Sequence, residues 1–187
     1  MQVGYHTCKL ENGYDYIVEK IPFISRNGNN QWLGQGFYFW TDSSYWAQRW
    51  GVEGNRVIGK FTIELCLQSE LLDLVGNVSH QEEFIEFQDL ILNKLTAAQK
   101  SQITVNQIIN KLRQEGKAVF PYLAVKAQDT RHEHQLDFIK NVSKSPMRAV
   151  LKLITRQQMC VFEDARDRIK LCGFLEPAEF AERMSAT

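Results

Sequence analysis

The sequence contains no apolar run of about 18 residues and no basic N-terminal stretch that leads into an apolar segment. The first absence excludes an ordinary membrane-spanning helix, and the second predicts that there is no secretory signal peptide. Internal repeats and low-complexity tracts are also missing, which excludes solenoids and fibrous proteins. We therefore expect a cytoplasmic protein with no membrane partner.

Cysteine is scarce, and no two cysteines form a Cys-x-x-Cys motif. Each lies in an apolar, strand-like stretch, which predicts buried thiols in a reducing compartment. The pattern also argues against zinc binding. The four are Cys8, Cys66, Cys160 and Cys172. His132 and His134 are one residue apart with no third ligand beside them, so we expect no bound metal.

The chain has the length and composition of one globular domain, with 187 residues, 44% of them apolar and 24% charged. Strand-like segments cluster at both ends and helical patterns lie between them, which predicts an α+β fold across residues 1–187. Two capping boxes, Ser79 with Glu82 and Thr104 with Gln107, predict a helical insertion over about 79–116. Pro121 predicts that the strand over about 119–125 lies at a sheet edge.

The most aromatic part of the sequence runs from Trp32 to Trp50. Gly34 and Gly36 precede a predicted strand and allow a tight turn or the close approach of another group. The pattern is not the dinucleotide fingerprint Gly-x-Gly-x-x-Gly, because position 39 is Phe39. Two interpretations remain open: the aromatic side chains form a wall for a planar ring, or they are core.

Net charge is zero, but it is unevenly distributed. Residues 1–99 carry 7 basic against 12 acidic side chains, and residues 100–187 carry 15 against 10, so −5 stands against +5. Basic residues recur at every fourth position in the second half: Lys140, Lys144, Arg148, Lys152 and Arg156. This run indicates either a solvated face or a site for a polyanion such as nucleic acid.

Three separated motifs resemble those of the ADP-ribosyltransferase fold family, in the branch with a His-Tyr-Glu/Gln triad. They are Tyr5-His6-Thr7, then Gly34-Gln35-Gly36-Phe37-Tyr38-Phe39, and Gln158-Met159-Cys160-Val161 on a late strand. The branch includes poly(ADP-ribose) polymerase-like enzymes and small bacterial and phage toxins. The resemblance covers about the first 65 and the last 35 residues, and it implies a split β-sandwich core around the helical insertion.

The resemblance implies NAD as co-substrate and gives each motif a role. His6 would bond the adenosine ribose, Tyr38 would stack on nicotinamide, and Gln158 would hold the nicotinamide ribose. Thr7 stands where the family usually has glycine, and Trp46 where it often has serine, so both would line the NAD site, together with Gly36. Because the first two strands of such a fold are neighbours, we expect His6 and Tyr38 to face one cleft, and side chains on opposite faces of the sheet would contradict the NAD site that the resemblance implies.

An amide cannot take a proton at neutral pH, so Glu163 is a candidate substitute base and Gln157 a second choice for the third-motif role. The resemblance implies a toxin or defence effector that ADP-ribosylates a macromolecule and has a possible antitoxin or other regulatory partner. Arg148, Lys152 and Arg156 predict a nucleic-acid acceptor, with protein as the alternative. Two further alternatives are an inactive module that binds NAD, ADP-ribose or a partner, and an NAD glycohydrolase.

Overall fold

The structure is a computed structural model that describes residues 1–26, 31–138 and 149–186. Nine β-strands occur in these residues: β1 Gln2–Lys9, β2 Phe37–Thr41, β3 Arg56–Ile63, β4 Leu71–Asp73, β5 Ala124–Gln128, β6 His134–Asp137, β7 Val150–Leu153, β8 Gln157–Val161 and β9 Ile169–Glu176. Five α-helices accompany them: α1 Gly13–Lys20, α2 Val78–Leu92, α3 Ala97–Lys100, α4 Val105–Glu115 and α5 Ala178–Ser185. Short 3₁₀ helices occupy Ala47–Arg49 and Glu163–Arg168.

Seven strands form one mixed sheet in the order β4-β5-β8-β2-β1-β3-β9. All neighbours in this sheet are antiparallel except β4 and β5, which run parallel. The remaining strands, β6 and β7, pair with each other. The α+β class expected from the sequence is confirmed. Within the part of the chain that the structure describes, no helix is both long and apolar enough to cross a membrane.

The large sheet is covered on both faces. Ile109 and Leu112 of α4 pack in one buried cluster with Cys160 of β8. Ile17 of α1 and Phe180 of α5 belong to a second cluster on the opposite face. Burial of these apolar side chains supplies the main driving force for folding, at roughly 25 cal/mol per Å² of apolar surface.

Local signals in the sequence predicted one helix start correctly and misplaced another. Thr104 caps α4 with a complete capping box that includes Gln107, as expected. The cap of helix α2 lies two residues before the predicted cap Ser79, because the side chain of Asn77 accepts from the backbone N–H of His80. Asn is as good a cap as Ser, so the Ser79 pattern alone did not determine the first turn.

Two further expectations were wrong. Strand β5 is not an edge strand, since it pairs with both β4 and β8. Pro121 precedes β5 and removes no hydrogen bond from it. The thiols are not all buried: Cys66 and Cys172 are exposed, whereas burial raises the pKa of Cys160 to about 12.

Candidate functional site

The strands that carry the three motifs are neighbours in the order β8-β2-β1. Trp40 of β2 lies opposite Tyr5 of β1 on one side and opposite Gln158 of β8 on the other. Residues that lie opposite one another in an antiparallel pair project from the same face. Tyr5, Trp40 and Gln158 therefore share one face of the sheet.

The expectation that His6 and Tyr38 face one cleft is wrong. Tyr38 lies two residues before Trp40 and shares its face, whereas His6 follows Tyr5 and points to the opposite face. The His6 ring packs 5.9 Å from the ring of Phe39, centroid to centroid, and is only 7% exposed. This placement contradicts the NAD site in the form that the resemblance implies. Side chains from the two motifs can meet one ligand only where the strands themselves separate.

Such a separation exists between β1 and β2, which pair at two positions only, Gly4 with Thr41 and Tyr5 with Trp40. Beyond these pairs, the carbonyl oxygen of Tyr38 accepts from Nδ1 of His6 at 2.9 Å. We call the region beyond these two pairs, beside His6 of β1 and Tyr38 of β2, the β1–β2 opening. One side chain, not a backbone ladder, joins the two strands there.

Residues 22–26 lie across the β1–β2 opening and bond to both strands. The backbone N–H of Phe23 donates to Nε2 of His6 at 3.2 Å. The backbone N–H of Ser25 donates to the carbonyl oxygen of Gly36 at 2.9 Å. A turn-rich loop lying over the segment that begins at Phe37 is what the sequence indicates, but the bonding partners His6 and Gly36 depend on the folded sheet. A ligand that uses His6 Nε2 must displace Phe23.

The hydrogen bonds of His6 determine its tautomer. A carbonyl oxygen only accepts, so Nδ1 carries the proton toward Tyr38, and Nε2 accepts from Phe23. Burial lowers the pKa of His6 to about 4, which keeps the ring neutral at physiological pH. The nitrogen that a ligand could reach is therefore an acceptor, which suits a ribose hydroxyl as donor.

Tyr38 is half-buried, and its hydroxyl is fully used within the turn that precedes β2. It donates to the carbonyl oxygen of Gly34 at 2.8 Å and accepts from the N–H of Leu33 at 3.0 Å. Burial raises the pKa of Tyr38, so the phenol stays protonated. The ring itself packs against the buried cluster that contains Cys160, so only its exposed part remains for a ligand.

The side chain of Gln158 is half-buried on the same face as Tyr38. Its Oε1 accepts from Nε1 of Trp32 at 2.8 Å, a contact between residues 126 positions apart that the sequence could not predict. No described residue accepts from its amide nitrogen. Gln157 points to the other face and donates to Oγ1 of Thr155 at 2.7 Å.

Other residues expected at an NAD site are engaged in packing. Thr7 donates from Oγ1 to the carbonyl oxygen of Ala47 at 3.2 Å. Trp46 is only 8% exposed and donates from Nε1 to the carbonyl oxygen of Thr155 at 3.1 Å. For Trp40 and Trp46 the core interpretation of the aromatic stretch is confirmed, since both are buried in one cluster.

Gly36 is required by the chain itself. A Cβ atom at this position would lie 2.4 Å from the carbonyl oxygen of Val161 and 2.7 Å from Sγ of Cys160. The close approach that the glycine pattern predicted is therefore the approach of β2 to β8. Gly34 has the other role expected of glycine, because its φ of +90° permits the turn before β2.

Glu163 does not accompany Gln158. It is exposed in the 3₁₀ helix that follows the end of β8, whereas Gln158 lies at the beginning of that strand. Glu163 instead lines a shallow cavity of about 310 Å³ with Phe23, Phe37 and Arg166. In this conformation Glu163 cannot act as a base on a group that Gln158 holds.

The basic run is only partly described. Lys140, Lys144 and Arg148 lie outside the described residues. Lys152 is exposed on β7, and Arg156 immediately precedes β8. Arg156 donates from Nε to Oδ2 of Asp129 at 2.7 Å, which pairs its charge. Of the expected acceptor residues in the described part, Lys152 alone has no carboxylate partner.

Comparison with known proteins gives no family for this chain. No protein-family model matches the sequence, no curated protein matches it, and no solved structure matches the fold. The site is therefore interpreted from its own residues and from the motif resemblance.

Proposed function

We propose that the chain is an NAD-dependent ADP-ribosyltransferase that holds NAD at the β1–β2 opening. The observation that carries the proposal is the junction at Tyr38, whose carbonyl oxygen accepts from Nδ1 of His6 beyond the last backbone pair of β1 and β2. One junction thus joins the first two motifs, and β8 brings the third motif to the other side of β2.

In this proposal each side chain acts with the atom that the fold leaves available. Once Phe23 moves, Nε2 of His6 accepts from a ribose hydroxyl of NAD. The ring of Tyr38 stacks on nicotinamide, and the amide nitrogen of Gln158 donates to the 2′-hydroxyl of the nicotinamide ribose. Contacts that strengthen as charge develops on the ribose lower the barrier to transfer.

The bond between ribose C1′ and the nicotinamide nitrogen breaks, and the electron pair leaves with nicotinamide. The acceptor atom forms a bond to C1′ and loses its proton to solvent. Because Gln158 cannot take that proton and Glu163 lies beyond the other end of β8, the acceptor must be nucleophilic already. A ring nitrogen of a nucleic-acid base meets this requirement, whereas a guanidinium would first have to lose a proton. Water as acceptor would give NAD hydrolysis.

Since neither Gln158 nor Glu163 can serve as a base at the site, a second candidate is a module that binds NAD or ADP-ribose without transfer. It would use the same opening and the same contacts of His6 and Tyr38. Release of nicotinamide from NAD by the purified protein distinguishes the two candidates.

For the transferase we expect Gln158→Ala to lower the rate of nicotinamide release by about 100-fold, with little change in the Kd for NAD. The matched control is Gln128→Ala, which removes an exposed amide from the neighbouring strand β5 and should leave the rate unchanged. Binding of NAD without release would select the second candidate. Absence of binding would rule out both.

A further inference from the structure

A cavity of about 300 Å³ lies outside the β1–β2 opening, between the turn that follows β2 and the loop that enters β8. The last residue of β2, Thr41, lines it with Asp42 and Tyr45 of the turn, and the loop residues Ile154 and Thr155 line it with Gln157, the first residue of β8. This volume is at the lower end of the range for small-molecule sites, so it fits one sugar or one nucleoside and not a dinucleotide.

The hydroxyl of Thr41 is the strongest sign of a ligand. Thr41 is 8% exposed, and its Oγ1 is buried without a hydrogen-bond partner among the described residues. No other buried side-chain oxygen or nitrogen in the described residues is left in this state. Because an unsatisfied buried hydroxyl costs stability, a fold that keeps one beside a cavity gains when a ligand bonds to it.

The backbone on both sides of the cavity adopts an uncommon conformation. Asp42 has a φ of 66° and Ile154 a φ of 54°, both in the left-handed region. A β-branched residue there is a genuine outlier, and such residues concentrate at binding sites. Ile154 is such an outlier, whereas aspartate is tolerated there. Both residues line one cavity, from segments more than 100 residues apart in the sequence.

The side chains indicate a neutral ligand with hydroxyl groups. Cations already occupy the surroundings: Nζ of Lys126 lies 3.2 Å from Oδ2 of Asp42, and the guanidinium of Arg49 lies 3.5 Å from the centre of the Tyr45 ring. A further cationic ligand would be repelled. Hydroxyl, carboxylate and amide oxygens beside an aromatic wall are instead suited to a ribose and its attached ring.

We propose that this cavity binds a ribonucleoside, either free or as one unit of an RNA chain. The ribose hydroxyls bond to Thr41 Oγ1, Asp42 and Gln157, and Tyr45 with Trp46 forms the apolar wall. If the proposed function holds, the nucleoside bound here is the acceptor of ADP-ribose, and this role rests on that function. The binding of a nucleoside does not depend on that function.

The test is equilibrium binding of adenosine by calorimetry, with no NAD present. Thr41→Val removes the hydroxyl and keeps the shape, so adenosine should bind about tenfold more weakly or worse, while the Tm of the free protein should rise. Thr41→Ser, which keeps the hydroxyl, is the matched control and should retain most of the affinity. No binding of adenosine, or equal affinity for Thr41→Val, would overturn the proposal.

A second comparison uses the unmodified protein and needs no variant to fold. 2′-Deoxyadenosine should bind more weakly than adenosine, because it lacks one ribose hydroxyl, and equal affinities would contradict ribose recognition. A short single-stranded RNA that binds much more tightly than adenosine identifies RNA as the source of the ligand, and an RNA no tighter than adenosine identifies the free nucleoside. If nucleosides bind but NAD loses no nicotinamide, the proposed function fails and the nucleoside site stands.

Discussion

Between pH 6.5 and pH 4 the free energy of unfolding should fall by about 3 kcal/mol on account of His6 alone. The pKa of this ring is about 4 in the folded protein, against 6.5 for an unperturbed histidine, and the largest cause is burial. Below pH 6.5 the unfolded chain binds a proton that the folded protein does not bind. The contribution is therefore fully present above pH 6.5 and is lost as the pH falls to 4.

Urea unfolding at several pH values measures this effect as a difference between proteins. When the free energy of unfolding is plotted against pH, His6→Leu should lack the part of the slope that His6 causes. This variant should also be less stable at pH 7, because two hydrogen bonds are lost. The control His134→Ala removes an exposed histidine from β6 and should keep the full slope. Equal slopes for His6→Leu and the unmodified protein would show that His6 is not the buried, neutral group described.

Gly36→Ala should destabilise the protein by about 3 kcal/mol. The added Cβ atom would lie 2.4 Å from the carbonyl oxygen of Val161, and the backbone of a central strand cannot move away without breaking the pairing of β2 with β8. The midpoint of urea unfolding measures the change. The variant should also lose any release of nicotinamide from NAD, because that activity needs β2 and β8 paired.

Gly173→Ala is the matched control, because a Cβ atom there would have no atom within 4 Å. Both changes add one methyl group to a glycine of the same sheet, so the difference between them reports the local contact. Equal stability for the two variants would mean that β2 and β8 do not approach as closely as described.

The sequence predicted the elements whose signals are local. The alternation of apolar and polar residues from Val57 to Leu65 predicts a strand, and β3 is found there with Val57, Phe61 and Ile63 buried and Lys60 exposed. The helix α4 was predicted from its capping box and from Gly116, whose φ of +88° ends it. Each of these signals lies within a few residues of the feature it specifies, so no knowledge of the fold is needed.

Pairing register could not be predicted, and the main error about the site followed from it. Whether His6 shares a face with Tyr38 depends on which residue of β2 lies opposite Tyr5, and a shift of one position reverses the answer. The bond from Trp32 to Gln158 and the contact of Phe23 with His6 depend likewise on the complete sheet. The motifs correctly indicated neighbouring strands but not the directions of their side chains.

The aromatic stretch shows the same limit. Composition left core and ligand wall as alternatives, and the structure divides them by residue: Trp40 and Trp46 are buried, whereas Trp50 is 52% exposed. The buried fraction is set by the 3₁₀ helix at Ala47, which packs on β1 and β3. No periodicity within Trp32–Trp50 contains that information.

In the proposed function, NAD binds at the β1–β2 opening and replaces Phe23 as the partner of His6. The most direct measurement is the ¹⁵N spectrum of the histidine rings at pH 7 during a titration with NAD. The chain has four histidines, so His6 can be assigned from the His6→Leu variant. The Nε2 signal of His6 should shift as NAD saturates the protein, while the signals of His80, His132 and His134 should remain in place. An unchanged His6 signal at high NAD concentration, or shifts confined to His132 and His134, would contradict it.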